Sequence, residues 1–166
     1  RYFLDSSLSS LEREKQNYDK EKIFAKREQS IVDLEKILEQ KGVLLDEEKA
    51  TFLLVLGRLY YEQNLYPQSL EAMGFFIKDN PKHKDLYQAY FLTSLCYLKQ
   101  ENQLEAFAFN AEQALILNPQ MVEAVKLHYN LCNSYLKLCV DLYDSEKKRY
   151  QDFAALHLYE VLVLDD

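Results

Sequence analysis

A short pattern returns three times along this chain with an almost constant stride. Tyr60, Tyr97 and Tyr135 lie 37 and 38 residues apart, and three residues before each stands a small side chain: Gly57, Ser94 and Cys132. Asn80-Pro81 and Asn118-Pro119 keep the interval of 38. The surroundings repeat as well, as LYYEQ at Leu59–Gln63, CYLKQ at Cys96–Gln100 and SYLKL at Ser134–Leu138. A shared stride of roughly 40 residues marks stacked helix pairs. One pair cannot cover its apolar face alone, so neighbours pack on it. The small residue lets two helices approach, and the tyrosine fills the gap one turn further on.

The local signals agree with helices. With only 3 Gly and 3 Pro in 166 residues, the chain lacks the turn residues that sandwiches, barrels and doubly wound sheets require. Asp46, followed by Glu47, Glu48 and Lys49, predicts a capped helix start with acids at the positive end. Leu53, Leu56, Gly57 and Tyr60 then form one stripe. Pro67 suits the opening of the next helix, and Pro81 closes it, because the residue before proline avoids the helical region. Upstream, Glu12 to Glu28 mixes charges of both signs three or four apart, as in a solvated helix. Ile31, Leu34 and Leu38 share one face of an amphipathic helix expected to stop at Gly42.

These residues resemble the tetratricopeptide repeat family, whose unit is 34 residues long. Leu53, Leu56-Gly57, Tyr60, Tyr66 and Pro81 fall in that family's register, with Ser69, Met73 and Phe76 replacing the Ala, aromatic and Ala of its second helix. The second unit offers Tyr90, Thr93-Ser94, Tyr97, Ala106, Ala114 and Pro119; the third offers His128, Leu131-Cys132, Tyr135, Ala155 and Tyr159. The resemblance implies an all-α, right-handed solenoid of about three helical hairpins, 46–81, 82–119 and 120–166, preceded by a charged helical segment or degenerate repeat at 1–45. From Pro81 to Ser94, and again from Pro119 to Cys132, the spacing is three residues longer than the family minimum. That lengthening is similar to a subtype found in bacterial envelope assembly and Tol–Pal-associated proteins. The third unit carries about eleven extra residues between Tyr135 and Asp152, expected to lengthen its helices or form a protruding loop.

No constellation in the sequence points to catalysis. Neither CxxC nor HExxH occurs, and no Gly-rich phosphate loop is present. Cys96, Cys132 and Cys139 are an odd set inside apolar segments and are expected to be buried free thiols. His128, Cys132 and Cys139 share a helical face but lack a fourth ligand and the spacing of a zinc finger. His83 is expected in a solvated loop, and His157 without an acid–base partner. No cofactor is expected. A net charge of −7, from 20 basic and 27 acidic side chains, disfavours a nucleic-acid partner. No run approaches the roughly 20 apolar residues of a membrane span. Arg1 rather than Met at the start reads as a fragment of a longer chain, so a cytoplasmic and a bacterial periplasmic or envelope location both stay open.

Surface is then the expected instrument of function. In the resembled family the first helix of each hairpin lines a concave groove that holds a peptide or a partner helix. Carried over by position, the groove would comprise Leu54, Arg58 and Tyr61, then Gln88, Phe91, Leu95 and Leu98, then Lys126, Tyr129, Asn133, Leu136 and Lys137. This mixture of aromatic, aliphatic and donor side chains suits anchoring another protein or a second copy. The positions at which some relatives clamp acidic tails hold Leu54, Arg58, Leu92, Lys126 and Asn130 here, and only Lys126 fits, so a carboxylate clamp is not expected. The expected function is a non-catalytic protein–protein interaction scaffold. The alternatives are an envelope or outer-membrane assembly or Tol–Pal-type accessory protein, and a chaperone for a secreted protein.

Overall fold

The computed structural model describes residues 2–40, 44–100, 103–140, 142 and 144–164, with side chains from Tyr18 onwards except Asp144 and Ser145. Within these residues the chain is all-α: α1 (Tyr2–Glu39), α2 (Asp46–Glu62), α3 (Tyr66–Asp79), α4 (Leu86–Leu98), α5 (Leu104–Leu117), α6 (Ala124–Leu138) and α7 (Asp144–Leu164). Helices adjacent in sequence are adjacent in space. The closest pairs are α2 with α3, α4 with α5 and α6 with α7, and these hairpins meet through α3–α4 and α5–α6. Helix α1 lies against α2, and α2 also touches α4.

Sequence chemistry explains where the helices begin and end. Acids Asp46, Glu47 and Glu48 open α2, and the Leu45 N–H donates to Glu48 Oε2 at 3.0 Å, the half of a capping box that an apolar cap residue allows. At the other end Asn64 takes a left-handed φ of 60°. The Leu65 N–H donates to the Tyr60 carbonyl at 2.8 Å and the Asn64 N–H to the Tyr61 carbonyl at 3.0 Å, a Schellman closure that reverses the chain into α3. The two longer connections are built alike. His83 N–H donates to the Asn80 carbonyl (3.1 Å) and Leu86 N–H to the His83 carbonyl (3.1 Å); one stride later, Met121 and Ala124 repeat the pattern toward Asn118 and Met121. The extra residues of each spacing therefore form the same hydrogen-bonded turn twice.

Two apolar cores alternate along the stack, and α4 is the wall between them. Leu86, Ala89 and Leu92 enter a core shared with Ile31, Leu53, Leu56, Met73 and Phe76. Tyr87, Phe91, Tyr97 and Leu98 lie against a second core built on Phe107, Leu127, Leu131 and Tyr135, while Tyr90 touches both. A helix sandwiched in this way must be apolar nearly all round, as LYQAYFLTSLCYL is. Phe76 and Phe107 are fully buried, each contributing about 1.5–3 kcal/mol relative to exposure.

The small-residue position has a visible cause. A Cβ at Gly57 would sit 2.3 Å from Met73 Cε, and Met73 has no exposed surface. Beside it Ser69 Oγ donates to the Gly57 carbonyl at 2.7 Å, and the Cys96 thiol donates to Ser69 Oγ at 3.3 Å, pinning α2, α3 and α4 together. Two of the three repeated tyrosines also act alike. The Tyr60 hydroxyl donates to Glu35 of α1, and the Tyr135 hydroxyl to Glu112 of α5. One stride of 38 before Glu112 stands Gly74 of α3, so Tyr97 of α4 meets no carboxylate at that place.

Two expectations are refined. The charged and the amphipathic N-terminal segments are one continuous helix of 38 residues; Gly42, its expected stop, lies outside the described residues. Side chains from Tyr18 to Lys26 are all exposed, while Ile31 is buried and Leu34 and Leu38 pack on the first core, so only the C-terminal part of α1 joins the stack. The extra length of the third unit goes largely into α7, which runs for 21 residues against 14 in α3 and in α5.

Candidate functional site

Among the described residues α4 and α6 do not approach each other as α2 and α4 do. Between the C-terminal ends of α4 and α6 and the start of α5 at Leu104, a cleft of about 730 Å³ opens. Four residues expected in the groove line it: Leu98 from α4, and Asn133, Leu136 and Lys137 from α6. Leu98 forms the floor, being also packed on the second core. Leu136 is 49% exposed at the lip, and Val140, just past α6, is 71% exposed beside it. Lys99 and Lys137 put two positive charges on the rim of an otherwise acidic protein, and Asn130 and Asn133 add amide groups.

The remaining groove candidates are dispersed. Leu54 and Tyr61 are partly buried against the first core, with Tyr61 tilted on Tyr66 at a centroid distance of 5.8 Å. Burial, aided by Tyr66 and Cys96, raises the Tyr61 hydroxyl above its ordinary pKa. Gln88 is held by Asp85, its Nε2 donating to Oδ1 at 2.9 Å. Phe91 packs on the second core and Leu95 is half-buried. Arg58 and Lys126 are exposed, and Tyr129 stands 57% exposed on α6. Lys99 and Val140 escape positional reasoning because they sit in the turns after α4 and α6, outside the repeated helix pattern. A smaller cavity of about 270 Å³ lies between α1, α2 and α3. Its apolar wall (Leu38, Leu53, Leu56 and Ala72) belongs to the first core, which leaves the α4–α6 cleft as the better candidate for binding.

No family model matches the chain, and neither the curated proteins nor the solved structures offer a significant match. Its own residues must therefore carry any functional conclusion.

The cysteines are buried and free, as expected. Burial pushes the Cys96 and Cys132 thiols up, with the Ser69 hydrogen bond partly offsetting this at Cys96, so both stay protonated and poorly nucleophilic. Among the described residues no group of three or more His, Cys, Asp or Glu side chains is arranged to hold a metal. None of the described helices is long and apolar enough to cross a membrane.

Two histidine expectations are overturned by packing. The side chain of His83 is nearly buried, edge-on to Phe76 at 5.2 Å, with Nε2 3.3 Å from Glu47 Oε1, because the second turn of the α3–α4 connection folds it back over α2. His157 does have acid–base partners: His128 of α6 and Glu112 of α5, which the tertiary fold brings beside it.

Proposed function

We propose that the protein is a non-catalytic scaffold that holds a segment of another protein in the cleft between α4 and α6. The observation that carries this reading is the cleft itself: an apolar floor at Leu98, exposed Leu136 and Val140 at the lip, and Lys99 and Lys137 on the rim. Such a site suits an apolar anchor residue flanked by Asp or Glu. The helices framing it are held by the second core, so binding would require little ordering of the protein.

The finer architectural assignment belongs to the same proposal. Stacking of hairpins in sequence order, buried Gly57, Ser94 and Cys132 at one stride, and paired Tyr–Glu bonds all support a right-handed tetratricopeptide-like solenoid. Glu35 precedes Glu112 by 77 residues, about two strides, which supports the end of α1 as the second helix of a degenerate leading repeat.

The test compares partners recovered by the wild-type chain and by Leu136→Glu, with helical content monitored by circular dichroism. Because Leu136 is half exposed, the variant should keep its helices and lose its partner by about tenfold or more. Equal recovery by both proteins would refute the proposal. Phe91 and Leu98 are unsuitable probes, since a glutamate at either would enter the second core.

A further inference from the structure

Away from the cleft, the core joining α5, α6 and α7 contains a cluster of titratable side chains. His128 and His157 are 8% and 7% exposed and face each other through Nδ1 atoms 2.8 Å apart. At that separation the Nδ1–H of one ring donates to the bare Nδ1 of the other. His157 turns Nε2 toward Glu112 Oε1 at 3.7 Å, and the same oxygen accepts the Tyr135 hydroxyl proton. Tyr135 lies flat on the His157 ring, with centroids 5.7 Å apart and planes 5° from parallel. From α7, Tyr150 tilts against Tyr135 at 5.7 Å and Arg149 lies over Phe153, while the charge of Glu160 acts on His128 and that of Arg149 on Tyr135.

This arrangement accommodates one positive charge but not two. With one added proton, His157 can donate from both nitrogens, to Glu112 and to His128. With a second, N–H meets N–H across the same short gap inside the core, where the repulsion is poorly screened. We propose that the His128–His157 pair is an acid-released latch, whose second protonation breaks the Nδ1–Nδ1 bond and frees α7 from α6. Phe153 and Ala154, which α7 contributes to the second core, would leave with it.

The direction of titration supports the geometry. Burial, followed by the proximity of His157, depresses His128 below its ordinary 6.5, with Glu160 opposing. A histidine depressed in the folded state contributes stability that is present above its unfolded value and lost as pH falls through the folded one. Glu112 is held below the usual carboxylate range chiefly by His157, with Tyr135 assisting and burial opposing. Its contribution is lost only as pH falls below 4.5, so the two steps are separable.

Hydrogen exchange of the whole chain, corrected for the intrinsic pH dependence of exchange, tests the latch between about pH 7.5 and about pH 5. The opening equilibrium of α7 amides should rise by up to about tenfold per pH unit once pH falls below the ordinary histidine range. In His128→Gln, whose amide can still donate to or accept from His157 but takes up no proton, this rise should vanish. The variant leaves His83 untouched, so any effect of that residue is common to both proteins. Equal acid sensitivity of α7 in wild type and variant overturns the proposal. If the variant fails to fold, imidazole ¹⁵N spectra of the wild type decide. A proton shared at Nδ1 in neutral solution, lost together with α7 protection in acid, upholds the latch. Two rings protonating independently while α7 stays protected overturn it.

Discussion

Gly57 and Gly74 both sit inside helices, yet the same substitution should stabilise only at Gly74. Glycine in a helix interior costs about 0.5–1 kcal/mol relative to alanine. At Gly74 an added Cβ meets nothing within 4 Å, so Gly74→Ala should recover that amount in full. At Gly57 the same atom would lie 2.3 Å from Met73 Cε, 3.2 Å from Sδ and 3.4 Å from Cγ. The thioether end is flexible, but Met73 is completely buried and can move only into its neighbours. Overpacking of this kind costs about 1–3 kcal/mol, which cancels or exceeds the propensity gain. Gly57→Ala should therefore fall about 1 kcal/mol or more below Gly74→Ala, and Gly57→Leu, with three further carbons, should lose about 1–3 kcal/mol against wild type. Urea unfolding followed by circular dichroism measures these differences, and for a chain of this size each kcal/mol moves the melting temperature by about 2–4 °C. A double variant, Gly57→Ala with Met73→Val, should recover part of the loss, with a coupling of at least about 0.5 kcal/mol. If Gly57→Ala is as stabilising as Gly74→Ala, the close approach of α2 and α3 is not what the small residue provides, and the packing rationale for the repeat fails.

Two further outcomes follow from buried polar groups. Thr93 Oγ1 is buried without a hydrogen-bond partner among the described residues, so Thr93→Val, which keeps the shape and removes the orphan, should stabilise by about 1 kcal/mol; a loss on thermal melting would show that the hydroxyl does find a partner. Burial, and then the bonds to Glu35 and Glu112, raise the Tyr60 and Tyr135 hydroxyls above their ordinary 10.0. Such groups contribute stability that is present below the unfolded value and lost as pH rises. Ultraviolet titration should find Tyr60 and Tyr135 ionising only as the helices melt, with Tyr61 also titrating late, and a single uniform phenolate transition in an intact fold would contradict it.

The helices were legible in the sequence because their causes are local. Acids at Asp46–Glu48, Pro67 near a helix start and Asn-Pro pairs at the long turns act within a few residues of themselves. The stride was legible because small residues and tyrosines recur at fixed intervals, and in the structure Gly57, Ser94 and Cys132 are all buried, while Tyr60 and Tyr135 each bond a glutamate of the preceding helix. The cleft was legible only in part. Position along a repeat identifies which side chains share a helix face, but not how far apart successive faces stand, so Phe91 and Leu98 pack into a core where Leu136 stays open. His128 stands one stride after Tyr90, but His157, 29 residues further on, holds no motif position, so nothing in the sequence brings the two rings together.

Sequence by itself thus determined an all-α chain whose neighbouring helices pack, through short-range backbone preferences and a recurring apolar pattern. Tertiary structure alone decided that α4 and α6 stand apart with a cleft between their C-terminal ends, and that α5, α6 and α7 bring two buried histidines beside a carboxylate. The difference is physical: helix ends answer to neighbours a turn away, whereas clefts and shared protons depend on angstrom-scale distances between whole helices.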